Sequence, residues 1–505
     1  MNFASKIQLL GIAISLCSCA NYTAQDSTKK LPHVTFLLQN EMANPISGDR
    51  ADVVMDAIRE HTQTDVEFIF VHDDDYEDTM EEVLDNPFEL PMIMSVKSLN
   101  SSVANAVKNG AFWDLNAFIW DEEKYPNLSK ANKNICKSLT IDSTLIGIYK
   151  AREIGRYGFS YRTDWAEKLG LGEPKTIEDV YNMLYAFTYK DPDGDGKKNT
   201  YGLALSKYTG PLDIIQTWFG CGNGWTEMSN SLIPVHQTQE YIEALNWLRK
   251  VYADGLVAPD WTVKSTSTWK NQVIEGQAGV FIDVMDSGRR IWEQFETKNV
   301  RSVVDPSKYA AMTLLGPINN HTQATDGYNG FISITHAAKT KEQVEQCLHF
   351  LDKMNDDEML ILASYGLKDY NYRIDSDGYL IDTDIANPEV SHVYNGLNQA
   401  LTYIPHMLKQ AKPSVRMSDK ALEEQRVIAI NEKVAVLNPA SAYLASSKSY
   451  ERNKLELDKI IEDARIKYIC GEINRESLQE AHSQWYENGG KEIIAEVNFL
   501  YKSRR

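Results

Sequence analysis

Apolar residues near the start of the chain alternate between compact runs and helical spacings. Residues 33–38 and 66–71 are compact apolar runs with polar flanks, and this pattern predicts two strands. Between them, apolar residues over 49–61 recur every three or four positions, as they do on the buried face of a helix. A third apolar run follows at 91–94. Strands that alternate with helices predict an α/β layer with a largely parallel sheet.

Two later segments join apolar runs through polar and glycine-containing sequence. Residues 151–158 follow a predicted strand at 145–150 and carry two arginines and two glycines. A second passage, Gly316-Pro317, follows an apolar run at 309–315. We interpret both as crossings between two lobes, because 505 residues exceed the size of one ordinary domain. The predicted division places 32–153 and 307–340 in an N-terminal lobe, and 154–306 and 341–505 in a C-terminal lobe whose last part is mostly helical.

The charge balance of the chain is acidic, with a formal net charge of −19. Nucleic-acid binding needs a basic surface for the phosphates, so this composition argues against a nucleic-acid partner. The sequence also lacks the HExxH, GxSxG, P-loop and GxGxxG signatures of common catalytic and nucleotide sites. Paired carboxylates for glycoside hydrolysis can be found anywhere among 71 acidic residues, so their presence carries little information.

The N-terminus has the organisation of a secretory signal. Lys6 precedes an apolar run that is too short to span a bilayer, and the run ends in Leu16-Cys17-Ser18-Cys19. This ending resembles the bacterial lipobox, in which the last cysteine becomes the acylated first residue of the mature chain. By that resemblance 1–18 is a signal peptide, Cys19 carries lipid, and the polar residues 19–31 form a flexible tether. The alternative is a soluble secreted protein.

The most distinctive polar stretch is 191–202, where three aspartates alternate with proline and glycine. In an EF-hand-type loop, oxygen ligands come from positions 1, 3, 5, 7 and 9, with a glycine at position 6 for the sharp turn. Those positions hold Asp191, Asp193, Asp195, Lys197 (through its backbone carbonyl) and Asn199, with Gly196 at the turn. Position 12 is Gly202 instead of a bidentate glutamate, so the alternative is an acidic turn in solvent. The spacing predicts a calcium site.

Several motifs in the chain match one family in the same order. They are Lys108 to Leu115, Arg162-Thr163-Asp164-Trp165, Leu169-Gly170-Leu171, Asp191 to Gly202, Gly276 to Phe281 and Ala363 to Gly366. With these motifs the chain resembles the extracellular solute-binding proteins of bacterial ABC sugar importers, in particular the lipo-oligosaccharide and polygalacturonate-type subgroup. Two positions depart from the family pattern. Asn199 stands where the family often has aspartate, and 281–285 lacks a tryptophan often found there.

The resemblance implies a two-lobed α/β fold of the periplasmic-binding-protein type II, with a hinge, an inter-lobe cleft and a helix-rich C-terminal part. It implies a monomer on the extracellular face of the bacterial cell membrane, held there by a lipid anchor. Such a protein captures an oligosaccharide or another carbohydrate by lobe closure and delivers it to the permease subunits of an ABC importer. The calcium loop would then be a structural clip inside one lobe, away from the sugar.

Candidate ligand contacts follow from the chemistry of sugar binding. Aromatic rings stack on the C–H faces of sugars, and planar polar side chains pair with the hydroxyls. Arginines beside a crossing would also suit an acidic ligand, if the ligand carries a carboxylate. The candidates are Trp113, Arg152, Arg156, Tyr157, Trp218, Trp225, Trp269, Asp283 and Tyr328. For each of them the alternative is a structural role in a core or an inter-lobe contact.

Two other functions stay open at this point. The first is a surface-anchored polysaccharide-active enzyme, although no catalytic residue can be named from the sequence. The second is a carbohydrate sensor or adhesin that serves a signalling partner. We expect a binding protein without catalytic residues.

Overall fold

The computed structural model describes residues 30–40, 45–86, 88–141, 143–382, 392–404, 411–444 and 447–503. The predicted signal peptide, the acylation site Cys19 and most of the tether lie outside the described residues. The described chain forms a mixed α/β structure with two main sheets and a helical C-terminal part.

The elements alternate through most of the chain and become mainly helical after the last long strand. The strands are β1 (His33–Asn40), β2 (Asp65–His72), β3 (Ile93–Val96), β4 (Thr140–Ile141), β5 (Thr144–Leu145), β6 (Ile148–Ala151), β7 (Tyr157–Arg162), β8 (Tyr201–Leu203), β9 (Trp225–Met228), β10 (Ser231–Pro234), β11 (Ala278–Val284), β12 (Met312–Leu315), β13 (Thr322–Gln323), β14 (Tyr328–Ile334), β15 (Tyr372–Ile374), β16 (Leu380–Asp382) and β17 (Ala435–Val436). The helices are α1 (Ala51–Thr62), α2 (Tyr76–Asp85), α3 (Ser101–Lys108), α4 (Lys133–Ser138), α5 (Thr163–Leu169), α6 (Ile177–Tyr189), α7 (Gly210–Thr217), α8 (Gln239–Ala253), α9 (Asn271–Ile274), α10 (Met285–Thr297), α11 (Lys341–Lys353), α12 (Asp357–Tyr365), α13 (Asp419–Asn431), α14 (Ser441–Leu444), α15 (Lys448–Ile469), α16 (Arg475–Trp485) and α17 (Lys491–Ser503).

The first sheet has the strand order β2-β1-β3-β14-β6. The predicted parallel arrangement is confirmed for β1, β2 and β3, whereas β14 is antiparallel to both β3 and β6. β6 therefore runs in the same direction as β1, β2 and β3. The carboxyl ends of these four strands lie at one edge of the sheet, together with the start of β14. We call it the first-lobe edge.

The second sheet has the strand order β12-β7-β11-β8. β7 is antiparallel to β11 and β12, and β8 is parallel to β11. The carboxyl ends of β8, β11 and β12 therefore lie at one edge with the start of β7. We call it the second-lobe edge.

Short segments join the two edges directly. Residues 152–156 run from the end of β6 to the start of β7, and 316–327 run from the end of β12 to the start of β14. The predicted crossing at 151–158 overlaps the first of these segments, and Gly316-Pro317 lies in the second. A third crossing, which the sequence analysis missed, runs from the buried Ala411 of the first core to α13, whose Val427 packs in the second lobe.

The hydrophobic cores correct the predicted lobe boundaries. The core of the first sheet includes α11 and α12 and continues through Leu380, Leu397 and Ala411. The prediction that all of 341–505 belongs to the C-terminal lobe is therefore wrong up to Ala411. The prediction that the N-terminal lobe resumes at 307 is also wrong, because β12 pairs with β7 of the second sheet. The remaining helices, α13 to α17, pack on the second lobe.

The helix that leads to the acidic loop begins as its sequence indicates. The Thr176 side chain accepts a hydrogen bond from the backbone of Asp179 at 3.1 Å. In return, the Asp179 carboxylate accepts one from the backbone of Thr176 at 2.9 Å. This reciprocal cap satisfies donors that the first turn of α6 would otherwise leave without partners. The preceding helix, α5, ends at Gly170 with φ of 65°, a conformation that favours glycine.

Candidate functional site

Four of the predicted ligand contacts come together where the crossings join the two edges. Arg152 follows β6, and its predecessor Ala151 pairs with Tyr328 at the start of β14. Tyr157 begins β7 and pairs with Val284, the last residue of β11, directly after Asp283. The first two contacts belong to the first-lobe edge and the other two to the second-lobe edge. Ligands of α/β proteins bind at the carboxyl ends of strands for the same topological reason.

An ion-pair cluster stabilises the second-lobe edge. Arg156 donates from Nε to Oδ1 of Asp286 at 3.0 Å, and one of its terminal nitrogens lies 2.9 Å from the same atom. Arg290 pairs with the other oxygen of Asp286. Asp286 is buried, so the two guanidinium groups compensate its charge. Arg156, predicted as a ligand contact, is therefore already committed to a partner.

Asp283 at this edge has a strongly raised pKa. Burial raises the pKa of the Asp283 carboxyl to about 6, and repulsion from Asp286 adds to the shift. Burial and the Asp283 carboxylate also raise the pKa of the Tyr157 phenol. Both groups thus offer hydrogen bonds to a polar ligand, the phenol as a donor and the carboxylate as an acceptor.

Trp269 is buried and does not face the site. Its ring is 3% exposed, and its indole nitrogen donates to the carbonyl of Ala204 at 3.1 Å. It packs edge-on against Tyr208, with 5.8 Å between the ring centroids. Trp269, predicted as a ligand contact, is thus buried, and the exposed ring beside it is that of Tyr208, whose pKa is raised to about 12 by burial and by Asp283. The sequence signal was available, since Tyr208 lies a few residues beyond β8.

The first-lobe edge carries two cations that differ in exposure. Lys150, in β6, is 9% exposed and donates from Nζ to Oε1 of Gln399 at 2.7 Å. Burial, and then repulsion from Arg152, lower the pKa of Lys150 to about 8. Arg152 is exposed, and desolvation followed by repulsion from Arg156 lowers its pKa. The sequence analysis missed Lys150, because it reads as the end of an apolar strand.

Two tryptophans of the glycine-rich loop separate into different roles. Trp218 is 2% exposed and packs on Phe159 in the second core, so its predicted ligand contact is corrected to a core role. Trp225 lines a polar cavity of about 420 Å³. The cavity is also lined by Asn223, by Gln323 of the second crossing and by Asp213. The charge of Asp213 contributes to the raised pKa of Tyr157 and Tyr208. It therefore lies beside the second-lobe edge.

Trp113 lies at the opposite edge of the first sheet. Its backbone nitrogen bonds to the carbonyl of Ile334, the last residue of β14, and its indole donates to Ala338 at 2.8 Å. Since β14 is antiparallel, its end lies away from the first-lobe edge. Trp113, predicted as a ligand contact, is therefore not brought together with the other candidates, because α3 carries the chain back across the sheet between β3 and Trp113.

The acidic loop joins α6 to β8. The carboxylates of Asp191, Asp193 and Asp195 have oxygens within 4.8 Å of one another. Oδ1 of Asp191 accepts from the backbone of Gly194 at 3.1 Å and of Gly196 at 3.3 Å, which closes the turn. Burial raises the pKa of Asp193, and its two neighbouring carboxylates add to the shift.

The other two predicted ligands hydrogen-bond to Asp195. Its carboxylate accepts from the backbone of Lys197 at 2.7 Å and from the side-chain amide of Asn199 at 3.1 Å. Three converging carboxylates that repel one another fit a hard divalent cation such as Ca²⁺. The loop enters β8 at its amino end, where Tyr201 pairs with Ala278, so it lies across the sheet from the second-lobe edge.

Comparison with known proteins identifies relatives along the whole chain. No protein-family model matches it. The chain is 32% identical over 504 residues to lipoprotein LipO of Bacillus subtilis, a match that covers 98% of this chain and 97% of the relative. It is 30% identical over 460 residues to the polygalacturonan/rhamnogalacturonan-binding protein YtcQ of the same organism, covering 90% and 89%.

Solved structures share the fold at much lower identity. An HMO-binding, ABC-transporter-associated solute-binding protein of Bifidobacterium longum infantis has a TM-score of 0.69 at 15% identity, covering 94% of this chain and 99% of that one. An EF-hand mutant of the Streptococcus pneumoniae substrate-binding protein FusA has a TM-score of 0.64 at 13% identity, with the same coverage. The alginate-binding protein AlgQ2 without its calcium ion has a TM-score of 0.63 at 15% identity, again with that coverage. These likenesses show the two-lobed fold.

Proposed function

Since this chain belongs to the extracellular solute-binding proteins of ABC importers, we propose that it captures a carbohydrate between its two lobes and delivers it to a membrane permease. One observation carries the proposal. Both sheets turn their carboxyl ends towards the crossings, where they present hydrogen-bonding and aromatic side chains. One curated relative is named for binding polygalacturonan and rhamnogalacturonan, which are carbohydrates.

The chemistry of the two edges suits a sugar. Tyr157, Tyr208 and Tyr328 offer ring faces for the C–H surface of a pyranose, and phenol groups for its hydroxyls. Asp283 accepts hydrogen bonds from hydroxyls on one side, and Arg152 donates to them on the other. The cavity beside Trp225 gives room for a second sugar ring next to the second-lobe edge. We expect recognition and release without covalent chemistry.

Capture requires that the ligand contact both lobes. A ligand favours the closed state only by the difference between its affinities for the closed and open states. Arg152 and Tyr328 supply contacts from the first-lobe edge, whereas Tyr157 and Asp283 supply them from the second-lobe edge. The three crossings would serve as the hinge, since chain segments between rigid lobes absorb such motions.

The protein would act as a monomer at the extracellular face of the membrane. Cys19, outside the described residues, would carry the lipid, and one relative is named a lipoprotein. None of the helices in the described ranges is long and apolar enough to cross a membrane. In this proposal, acyl chains on Cys19 and the tether 19–31 hold the two lobes near the permease.

The acidic loop would bind calcium as a structural clip. Asp191, Asp193 and Asp195 would supply carboxylate oxygens, Lys197 a backbone carbonyl and Asn199 an amide oxygen. The cation would neutralise the carboxylates and fix the connection between α6 and β8. Because the loop lies across the sheet from the second-lobe edge, the ion would not touch the sugar.

A thermal-shift screen against oligosaccharides, with and without EDTA, tests this proposal. A ligand that binds only the folded state stabilises it by about 2.7 kcal/mol at a hundred times its Kd, so a binding sugar raises the Tm. We expect at least one oligosaccharide to raise the Tm without being cleaved. Sugar hydrolysis that disappears with one Asp or Glu substitution would favour an enzyme instead. We expect EDTA to lower the Tm, and no change on EDTA would contradict the calcium assignment.

A further inference from the structure

We propose that the captured carbohydrate is acidic, and that its carboxylate binds at the first-lobe edge between Lys150 and Arg152. This inference rests on the proposed function and adds the charge and orientation of the ligand. It also makes Lys150, which the sequence analysis did not identify, a specificity-determining residue.

The two cations are placed to act together. Arg152 lies two residues after Lys150, directly beyond the end of β6, and its charge repels that of Lys150. The backbone nitrogen of Arg152 donates to the carbonyl of Gly327 at 2.9 Å, next to the start of β14. Both residues therefore belong to the first-lobe edge, where the chain crosses to the second lobe.

Neither cation has a salt-bridge partner in the part of the chain that the structure describes. In the described ranges, the hydrogen bond of the Lys150 ammonium is to the neutral amide of Gln399, and neither Lys150 nor Arg152 forms a salt bridge. Asp286 acts on Arg152 more weakly than the repulsion from Arg156 does, and it is already paired with Arg156 and Arg290. A buried ammonium without a counter-charge destabilises the fold. Its presence therefore indicates a functional role instead of a structural one.

A buried hydrogen-bond acceptor at the same place is a second observation that points to a ligand. Gln39, near the carboxyl end of β1, donates from Nε2 to the Gln399 oxygen that Lys150 also contacts, at 3.4 Å. The Oε1 atom of Gln39 is buried and accepts no hydrogen bond from any described residue. Buried polar atoms are rarely left without a partner. A sugar hydroxyl beside the carboxylate would donate a hydrogen bond to this oxygen.

A carboxylate matches the two donors in geometry. Its two oxygens can accept a bidentate pair of hydrogen bonds from a guanidinium and a further one from an ammonium. The chain as a whole carries a net charge of −19, so an acidic sugar gains no general attraction and depends on this local pair. Asp283 at the second-lobe edge would repel a carboxylate and accept hydroxyls. The acid group is therefore oriented towards the first lobe.

Isothermal titration with a matched pair of probes tests the inference. The first probe is a trimer of galacturonic acid, and the second is the same trimer with its carboxyl groups reduced to alcohols. We expect the acidic trimer to bind at least tenfold more tightly, and its affinity to fall as salt is added. Lys150→Met should weaken the acidic trimer by about 30-fold or more, because it removes one partner of a buried charge pair. The same variant should weaken the reduced trimer by a much smaller factor, because the alcohol that replaces the carboxylate carries no charge opposite to that of the ammonium.

Lys97→Met is the matched control. Lys97 follows β3 at the same first-lobe edge, but its ammonium already pairs with Asp73 at 2.7 Å. This variant makes the same charge change and should leave the preference for the acidic trimer intact. The Tm of the ligand-free protein gives a second readout. Lys150→Met should raise that Tm, since it removes an uncompensated buried charge, whereas a lysine with a structural role would lower it when replaced.

The outcomes separate the two proposals. Preferential binding of the reduced trimer, or a Lys150→Met variant that loses stability and keeps its preference for the acid, would overturn the acidic-ligand inference and leave carbohydrate capture standing. No binding of either trimer, together with no Tm shift by any oligosaccharide of the wider screen, would contradict the proposed function itself.

Discussion

The two sheet edges that meet at the crossings differ in whether their charged side chains are paired. At the second-lobe edge, Arg156 and Arg290 share the buried carboxylate of Asp286, so the cations are matched inside the protein. At the first-lobe edge, Lys150 and Arg152 have no salt bridge to any described residue. Removing one partner of a buried ion pair leaves an uncompensated charge and destabilises the fold, whereas unpaired charges at an edge are available to a ligand. From this difference we expect a mainly structural role for Arg156 and a binding role for Arg152.

The largest expected effect comes from replacing these two arginines in parallel. Arg152→Ala should weaken binding of the oligosaccharide with the largest thermal shift by about 30-fold, because it removes a charged donor to the ligand. The unfolding free energy of this variant should change little, since Arg152 is exposed and forms no salt bridge with any residue that the structure describes.

Arg156→Ala should have the reverse profile. It leaves Asp286 with only Arg290, so we expect the unfolding free energy to fall by about 1–3 kcal/mol. Urea unfolding and calorimetric titration of both variants measure the two quantities. Equal losses of affinity in the two variants, without a difference in stability, would remove the contrast between the edges.

A second, smaller effect concerns the buried acid of the second-lobe edge. The pKa of Asp283 is about 6 in the fold, above its usual value, so burying its charge reduces stability at neutral pH. Asp283→Asn should therefore be more stable than the wild type at pH 7.5, by about 1–2 kcal/mol after allowance for solvent screening.

The pH dependence of that gain follows from the sign of the shift. As the pH falls through 6, the folded wild type takes up a proton at Asp283 and its penalty decreases. The stability advantage of Asp283→Asn should shrink below pH 6 and be lost near pH 4. Thermal melts of both proteins across this range measure it. An advantage that stays constant with pH would show that the buried charge is not its cause.

The acidic loop should be separable from both edges. Asp195→Asn removes a carboxylate that holds Lys197 and Asn199, and it should reduce or abolish the Tm shift that EDTA causes. The affinity for the sugar should change less than twofold at a temperature where the variant is folded, because the loop enters β8 at its far end. Calorimetry with saturating calcium measures the affinity, and a tenfold loss would place the ion at the cleft.

The smallest effect is expected from Trp113, at the opposite edge of the first sheet. Trp113→Phe loses the hydrogen bond to Ala338, which should lower the unfolding free energy by about 1 kcal/mol. Sugar affinity should not change. A clear loss of affinity in titration would show that the ligand contacts the edge of Trp113, which contradicts binding at the first-lobe edge.

Local spacing was enough to predict β1, β2, β3, β6 and the acidic loop. It could not predict which edge of a sheet a residue faces. Trp113 comes soon after β3 in sequence, but α3 returns the chain to the other edge before it. Trp218 and Trp269 stand beside glycines and helix starts, and only tertiary packing shows that both are buried.

The lobe boundaries and Lys150 were missed for related reasons. α11 and α12 look like any amphipathic helices, and their place in the first core depends on contacts with β1 and α1 that are distant in sequence. Lys150 ends an apolar strand, so only its burial beside a neutral partner distinguishes it from an ordinary surface lysine. Charge compensation is a property of three-dimensional neighbours.

Small-angle X-ray scattering tests most directly whether the sugar is captured between the lobes. The radius of gyration should be measured for the protein alone and with a saturating concentration of the oligosaccharide that gives the largest thermal shift. If the ligand contacts both edges as proposed, it will shift the population to the closed state and lower the radius of gyration. An unchanged scattering curve in a sample shown by titration to be saturated would contradict capture by lobe closure.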